Sequence, residues 1–76
     1  MKEKLEVIFR RVLEDEELVI RDDMTASDVE SWDSLAHINL ILQIENEFGV
    51  KFNITEIQGL RCVGDIINLL HRKGVS

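Results

Sequence analysis

The chain has 76 residues and a formal net charge of −6, from 15 acidic and 9 basic side chains. This length is enough for one small hydrophobic core and leaves little room for a deep catalytic cleft, so we expect residues 1–76 to form a single domain. An apolar fraction of 45% argues against disorder. The acidic balance argues against a nucleic-acid partner and favours protein partners with basic docking patches.

Three features predict a cytoplasmic protein. Cys62 is the only cysteine, so no internal disulfide can form. Three of the first four residues are charged and no apolar run follows Met1, which is unlike a signal peptide. No apolar run approaches the length that a membrane span needs.

Apolar residues at helical spacing predict a first helix from about Lys2 to Glu16. The residues of its buried stripe are Leu5, Ile8, Phe9, Val12 and Leu13. The segment ends in four consecutive acidic residues, the wrong sign for a helix C-terminus. We therefore expect this end of the helix to fray in solvent.

The stretch from Leu18 to Asp33 is irregular and rich in Asp, Ser and Thr, which favours a long loop. A loop of this length in a small domain needs apolar residues to hold it against the core. Four residues can do so: Leu18, Ile20, Val29 and Trp32. We interpret the single tryptophan as a loop anchor.

A second helix is predicted from about Ser34 to Phe48, with Asp33 as its N-cap. Its core-facing arc consists of Leu40, Ile41, Ile44 and Phe48, and a neighbouring stripe consists of Leu35, Ile38 and Leu42. For Leu35 we expect burial against the loop, whereas for Ile38 and Leu42 burial and partner contact are equally favoured. The opposite face carries Ala36, Asn39, Gln43, Asn46 and Glu47.

Local signals predict two further helices. Gly49 fits the left-handed residue that ends the second helix, and Asn53 and Glu56 have the spacing of a capping box. A short helix from about Ile54 to Gln58 should follow, and then a last helix from about Val63 to Lys73, which Gly74 ends. The fold class is therefore all-α: a small four-helix bundle with three longer helices and one short helix.

The motif Trp32-Asp33-Ser34-Leu35 places a serine hydroxyl on the first turn of the second helix. A phosphate there would lie against free backbone N–H groups and the positive end of the helix dipole. Together with Glu45-Asn46-Glu47-Phe48-Gly49 at the end of that helix, the total length and the acidic charge, this motif resembles the acyl carrier protein family. The resemblance covers nearly the whole chain.

The resemblance implies that Ser34 receives a 4′-phosphopantetheine arm from coenzyme A through a Mg²⁺-dependent phosphopantetheinyl transferase. The thiol of the arm then carries an acyl or aminoacyl group as a thioester to loading and transferring enzymes. The residues implied in partner docking are Asp33, Leu35, Ile38, Leu42, Glu45 and Glu47. The residues implied in lining the arm or its cargo are Ile57, Leu60 and Val63.

Departures from the family pattern concern the pathway and one helix cap. Ala36 and Asn39 occupy positions where fatty-acid-synthesis carriers often have acids, and Trp32 and His37 look more like discrete carriers of specialised pathways. Polyketide, nonribosomal-peptide and cell-surface polysaccharide systems are examples, and a fatty-acid role is not excluded. Cys62 stands where the family often has Thr, so we expect the last helix to start less firmly.

Two other functions compete with a carrier. Ser34 and His37 could form a nucleophile–base pair, but the sequence offers no orienting acid or oxyanion loop, so we predict that the protein is not an enzyme. His37 is better explained as a partly buried packing residue. We predict no metal site, because His37, His71 and Cys62 lack ligand spacing. The second alternative is an arm-less regulatory module with the same fold. We expect a monomer, because the exposed apolar stripe is short.

Overall fold

The computed structural model describes residues 1–75. It contains four α-helices, α1 (Lys2–Val12), α2 (Ser34–Phe48), α3 (Ile54–Gln58) and α4 (Val63–Arg72), and a 3-10 turn, Ala26–Asp28, in the long loop before α2. The all-α four-helix architecture is confirmed. The predicted bounds of α2 and α3 are those observed, and α4 ends one residue earlier than predicted.

The predicted end of α1 was wrong, because the helix stops at Val12 and not at Glu16. Glu14 adopts a left-handed backbone conformation with φ of 54°, and the N–H of Asp15 donates to the carbonyl of Arg10 at 3.0 Å. The four acidic side chains would have stood at the negative end of the helix dipole, so a turn here removes an unfavourable arrangement.

Side chains of α1 hold the chain that follows this turn. Arg10 forms an ion pair with Glu6 at 3.1 Å and donates from Nε to the carbonyl of Leu18 at 2.7 Å. Glu6 in turn accepts a hydrogen bond from the N–H of Ile20 at 3.1 Å. The pair therefore fixes the start of the loop against α1.

The core takes residues from all three longer helices and from the loop. The fully buried larger side chains are Phe9, Leu5, Met24, Leu40, Ile44, Ile66, Leu70 and Val63. Ile20 and Trp32 are buried as predicted, and Leu18 and Val29 are partly buried against the core. Met24, which is 1% exposed, is a further anchor of the loop that its polar surroundings did not indicate.

The loop is also bound to the N-terminus of α4 through the backbone. The N–H of Val63 donates to the carbonyl of Met24 at 3.0 Å, and the N–H of Gly64 donates to the carbonyl of Asp22 at 2.7 Å. Cys62 is the N-cap residue and its side chain makes no capping hydrogen bond. The carbonyls of Met24, Asp22 and Cys62 thus accept from the first three N–H groups of α4, so these groups are bonded without a side-chain cap.

A side chain at position 64 would meet this loop. A Cβ atom on Gly64 would lie 2.9 Å from the carbonyl oxygen of Asp22, which is closer than real Cβ contacts allow. At Gly59 the nearest atoms to an added Cβ are 3.6 Å away, an ordinary contact. Comparing substitutions at Gly64 and Gly59 therefore separates the effect of the close Cβ contact from the general effect of replacing glycine.

We predict that Gly64→Ala destabilises the fold. The displaced backbone should cost ~1–3 kcal/mol, which exceeds the gain of up to ~1 kcal/mol from the higher helix propensity of alanine. Urea unfolding followed by circular dichroism measures the difference. Gly59→Ala is the control and should unfold at the wild-type midpoint or above it. A Gly64→Ala variant as stable as Gly59→Ala would contradict this account of the loop contact.

The short helix α3 is stabilised through both the backbone N–H and the side chain of Glu56. The capping box is confirmed: Asn53 Oδ1 accepts from the N–H of Glu56 at 2.7 Å, and Glu56 Oε1 accepts from the N–H of Asn53 at 2.9 Å. The same carboxylate pairs with Lys73 Nζ at 3.1 Å. The Asn53 N–H first, and Lys73 second, hold the pKa of Glu56 below its ordinary value of 4.5.

We predict that Glu56→Gln destabilises the protein at neutral pH and does so less in acid. A folded-state pKa below the unfolded value gives stability that is present above pH 4.5 and is lost as the pH falls through the folded pKa. Thermal unfolding of both proteins between about pH 7 and pH 3 should show the difference shrinking on the acid side. Glu47→Gln, which removes one carboxylate at an exposed site, is the control and should unfold near the wild-type temperature at neutral pH. A gap that stays constant with pH would contradict the assignment.

Candidate functional site

Ser34 is exposed and occupies the first position of α2. Asp33 is the N-cap, as predicted, and its Oδ1 accepts from the N–H of Ala36 at 2.8 Å. Its carbonyl accepts from the N–H of His37 at 2.9 Å. Within residues 1–75 the N–H groups of Ser34 and Leu35 make no hydrogen bond, so both remain available to an anion attached at this turn.

Ser34 lines an open groove of about 780 Å³. One side is formed by the first turns of α2, and the other by the 3-10 turn and the segment that joins α3 to α4. The lining residues are Thr25, Ala26, Ser27, Trp32, Asp33, Ser34, His37, Ile38, Ile57, Gln58, Leu60 and Arg61. The groove is open to solvent, and Ser34 is one of the residues in its wall.

Of the three residues predicted to line the arm or its cargo, two are in the wall of the groove and one is not. Ile57 and Leu60 are in the wall of the groove. Val63 has no exposed surface and lies in the core, so it does not line the groove. It can contact an arm or its cargo only if the core opens.

The 3-10 turn is a wall of the groove that the sequence reasoning missed. Thr25 and Asp28 form a capping box in which Asp28 Oδ2 accepts from the N–H of Thr25 at 2.9 Å. That hydrogen bond is the largest cause that lowers the pKa of Asp28 below its ordinary value. The Thr-x-x-Asp spacing was the signal that could have located this turn.

Trp32 and His37 are joined across the start of α2. Trp32 Nε1 donates to His37 Nδ1 at 3.2 Å, and the rings stack at 21° with centroids 6.2 Å apart. Trp32 also meets the ring of Phe9 edge to face, with centroids 5.2 Å apart. Both interpretations from the sequence agree with this geometry: Trp32 is a buried loop anchor, and His37 is half-buried.

The same geometry speaks against a Ser–His catalytic pair. A histidine base in such a pair donates its Nδ1 proton to an orienting acid. Here Nδ1 of His37 accepts from Trp32 instead. No carboxylate is bonded to His37 in the part of the chain that the structure describes.

The neighbouring stripe of α2 is exposed along its length. Leu35, Ile38 and Leu42 are 70%, 55% and 56% exposed. The expected burial of Leu35 against the loop was therefore wrong, because this side chain faces solvent. Ala36, which was expected on the polar face, is 8% exposed and belongs to the core cluster.

The predicted acidic docking residues also differ from one another. Asp33 and Glu47 are exposed. Glu45 is half-buried, and its Oε2 accepts from the N–H of Phe52 at 2.7 Å. Glu45 therefore stabilises the turn between α2 and α3, which limits what it can offer to a partner.

Within residues 1–75, no helix is long and apolar enough to cross a membrane. In the same part of the chain, no group of three or more His, Cys, Asp or Glu side chains is placed to hold a metal ion.

The family model for the phosphopantetheine attachment site matches residues 3–70 of this chain. The acyl carrier protein of Thermotoga maritima is 34% identical over 73 residues, which are 96% of this chain and 80% of that protein. The chain belongs to the acyl carrier protein family. Members of this family are carriers and not catalysts, and their prosthetic group is phosphopantetheine.

Solved structures agree with this assignment. Holo acyl carrier protein from Geobacter metallireducens has 39% identity and a TM-score of 0.87, covering 93% of this chain and 82% of that one. A chain described as an acyl carrier protein from Mycobacterium tuberculosis has 24% identity and a TM-score of 0.85, covering 95% and 96%. The second likeness concerns the fold alone.

The residues around Ser34 fit this prosthetic group. The hydroxyl is exposed, two backbone N–H groups next to it are free to meet a phosphate, and residues of the same turn line the groove. The arm supplies a flexible thiol on which cargo is held. The protein supplies the anchor, the positive helix end and the wall along which the arm can lie.

Proposed function

We propose that this chain carries an acyl or aminoacyl group as a thioester on a 4′-phosphopantetheine arm attached to Ser34, with residues 1–76 forming one carrier domain. The observation that carries the proposal is the exposed Ser34 hydroxyl at the start of α2, beside free N–H groups and in the wall of the groove. Among the serines of residues 1–75, Ser34 alone combines these three features.

Attachment requires no activated serine in the carrier. The Ser34 oxygen would form a phosphodiester with the pantetheine-bearing phosphate of coenzyme A, and adenosine 3′,5′-bisphosphate would leave. The transferase would supply the magnesium ion and take the serine proton. His37 is not needed as a base, which fits its engagement with Trp32.

The exposed stripe of α2 supports a docking role. Leu35, Ile38 and Leu42 form an apolar row that starts beside Ser34, in a chain with a net charge of −6. A short apolar contact surrounded by acidic charge favours weak, fast and reversible binding to enzymes with basic patches. Tethering then raises the effective concentration of the cargo at the docked enzyme without tight binding.

The pathway is proposed only at the level of fatty-acid, polyketide or other specialised biosynthesis. Ala36 no longer bears on this choice, because it is buried and its lack of charge follows from packing. Asn39 is exposed and still departs from the acidic pattern of fatty-acid carriers. We further propose a cytoplasmic monomer, because Cys62 is unpaired and the exposed stripe is short.

We predict that incubation with coenzyme A, Mg²⁺ and a broad-specificity phosphopantetheinyl transferase adds one phosphopantetheinyl group to the wild-type protein. Ser34→Ala should gain nothing, because it lacks the accepting oxygen. Ser27→Ala is the matched control, because Ser27 is an exposed serine that lines the same groove. Intact mass spectrometry measures all three.

The control variant should be modified as fully as the wild type. Equal modification of Ser34→Ala would place the arm elsewhere. An unmodified wild-type chain, in a mixture that modifies a known carrier, would favour the arm-less regulatory module.

We predict that Leu42→Gln lowers kcat/KM for the transferase by about tenfold, since one apolar contact at the centre of an interface contributes ~1–2 kcal/mol. Val19→Gln is the control, because Val19 is 64% exposed but lies on the loop rather than on α2. Both variants should unfold near the wild-type temperature. Equal losses of kcat/KM in the two variants would argue against the stripe as the docking surface.

A further inference from the structure

The hydrogen bond from Trp32 fixes the tautomer of His37. Nδ1 accepts the Trp32 N–H at 3.2 Å, so it carries no proton. In a neutral imidazole the one proton must then lie on Nε2. Trp32 is 4% exposed and packed against Phe9, so the donor that sets this tautomer is held in place by the core.

The remaining nitrogen of His37 is unused. Within residues 1–75, Nε2 makes no hydrogen bond, and no buried side-chain nitrogen or oxygen lacks a partner. Because His37 is only half-buried, Nε2 must therefore be accessible rather than enclosed. Nε2 is therefore a protonated hydrogen-bond donor that has no acceptor within residues 1–75.

His37 and Ser34 lie three residues apart on α2, and both line the groove. Residues at this spacing are neighbours on one helix face, with Cβ atoms about 5–6 Å apart. A phosphate on the Ser34 oxygen would therefore lie on the helix face that carries the imidazole, at the groove that both residues line. Ser34 and His37 are thus placed to share one group.

We propose that His37, held as the Nε2–H tautomer by Trp32, donates a hydrogen bond to the phosphate of the arm on Ser34 and so positions the first part of the arm in the groove. This inference rests on the proposed function. His37 is a positioning residue and has no part in the attachment step. Its contribution adds to that of the free N–H groups of Ser34 and Leu35.

The proposal gives Trp32 a second role beyond anchoring the loop. Without the indole N–H, the imidazole proton can occupy either nitrogen. Only one of the two tautomers leaves a donor at Nε2. The core contact with Phe9 and the arm are therefore linked through one hydrogen bond.

The test compares the apo protein with the phosphopantetheinylated protein, both labelled with ¹⁵N-histidine and held at about pH 8, where imidazoles are neutral. Mass spectrometry first establishes that the arm is attached. Long-range ¹H–¹⁵N correlation spectra then identify the protonated nitrogen of His37. We expect Nε2–H in both forms, a shift of its resonance when the arm is attached, and about tenfold slower exchange of its proton with water.

Two variants of His37 test the roles of Nδ1 and Nε2 separately. In His37→Asn the amide oxygen replaces Nδ1 and can still accept from Trp32, but nothing stands in place of Nε2. In His37→Gln an amide nitrogen reaches the place of Nε2 and restores a donor. The ³¹P resonance of the arm should differ from wild type in the Asn variant and return toward it in the Gln variant.

Three results would overturn the inference: an Nδ1–H tautomer, an Nε2 resonance unmoved by the arm, or equal ³¹P resonances in the wild-type and both variant proteins. The apo and holo wild-type spectra decide the first two even if a variant fails to fold. Failure of this inference and failure of the proposed function are distinguishable. A modified protein without the Nε2 response rejects only the role of His37, whereas an unmodified protein rejects both.

Discussion

The site depends on how the long loop is fastened to the start of α4. Two loop carbonyls, of Asp22 and Met24, accept the N–H groups of Gly64 and Val63, and the hydrogen in place of a side chain at Gly64 permits the 2.7 Å approach. With that end fixed, the 3-10 turn forms one wall of the groove and Trp32 enters the core just before α2. The position of Ser34 is thus set by contacts at the far end of the loop as well as by its own helix cap.

The second helix serves two surfaces at once. Leu40, Ile41 and Ile44 are buried, while Leu35 and Leu42 stay more than half exposed. Exposing apolar side chains forgoes the stabilisation that their burial would give. A chain this small can tolerate that only because α1, α4 and the loop bury enough of the remaining surface. An exposed apolar row is typical of a surface that contacts other molecules, which fits the proposed docking role.

The helix boundaries that local chemistry decides could be predicted from the sequence. Asp33 and Gly49 bound α2, and Asn53 with Glu56 bounds the start of α3, because caps and left-handed glycines act within a few residues.

The errors concern features that depend on contacts between distant parts of the chain. The early end of α1 comes with the left-handed Glu14 and with hydrogen bonds that join Glu6 and Arg10 to residues of the loop. On α2, Ala36 rather than Leu35 is buried, and helical spacing alone does not indicate which of two neighbouring positions is covered. The 3-10 turn after Thr25 had a local signal in its capping box, but its place in the groove wall depends on how the loop packs.

Asp33 unites the fold and the proposed docking surface in one side chain. Its carboxylate caps α2 at 2.8 Å and is exposed to a transferase at the same time. Removing the side chain would loosen the turn that presents Ser34, so a loss of modification would say nothing about charge. Replacement by asparagine keeps the cap and removes the charge, because the amide oxygen can accept the same N–H of Ala36. The contribution of charge at this position is therefore separable from that of helix geometry. At Glu45 the two contributions are harder to separate, because the half-buried carboxylate accepts a hydrogen bond from the N–H of Phe52.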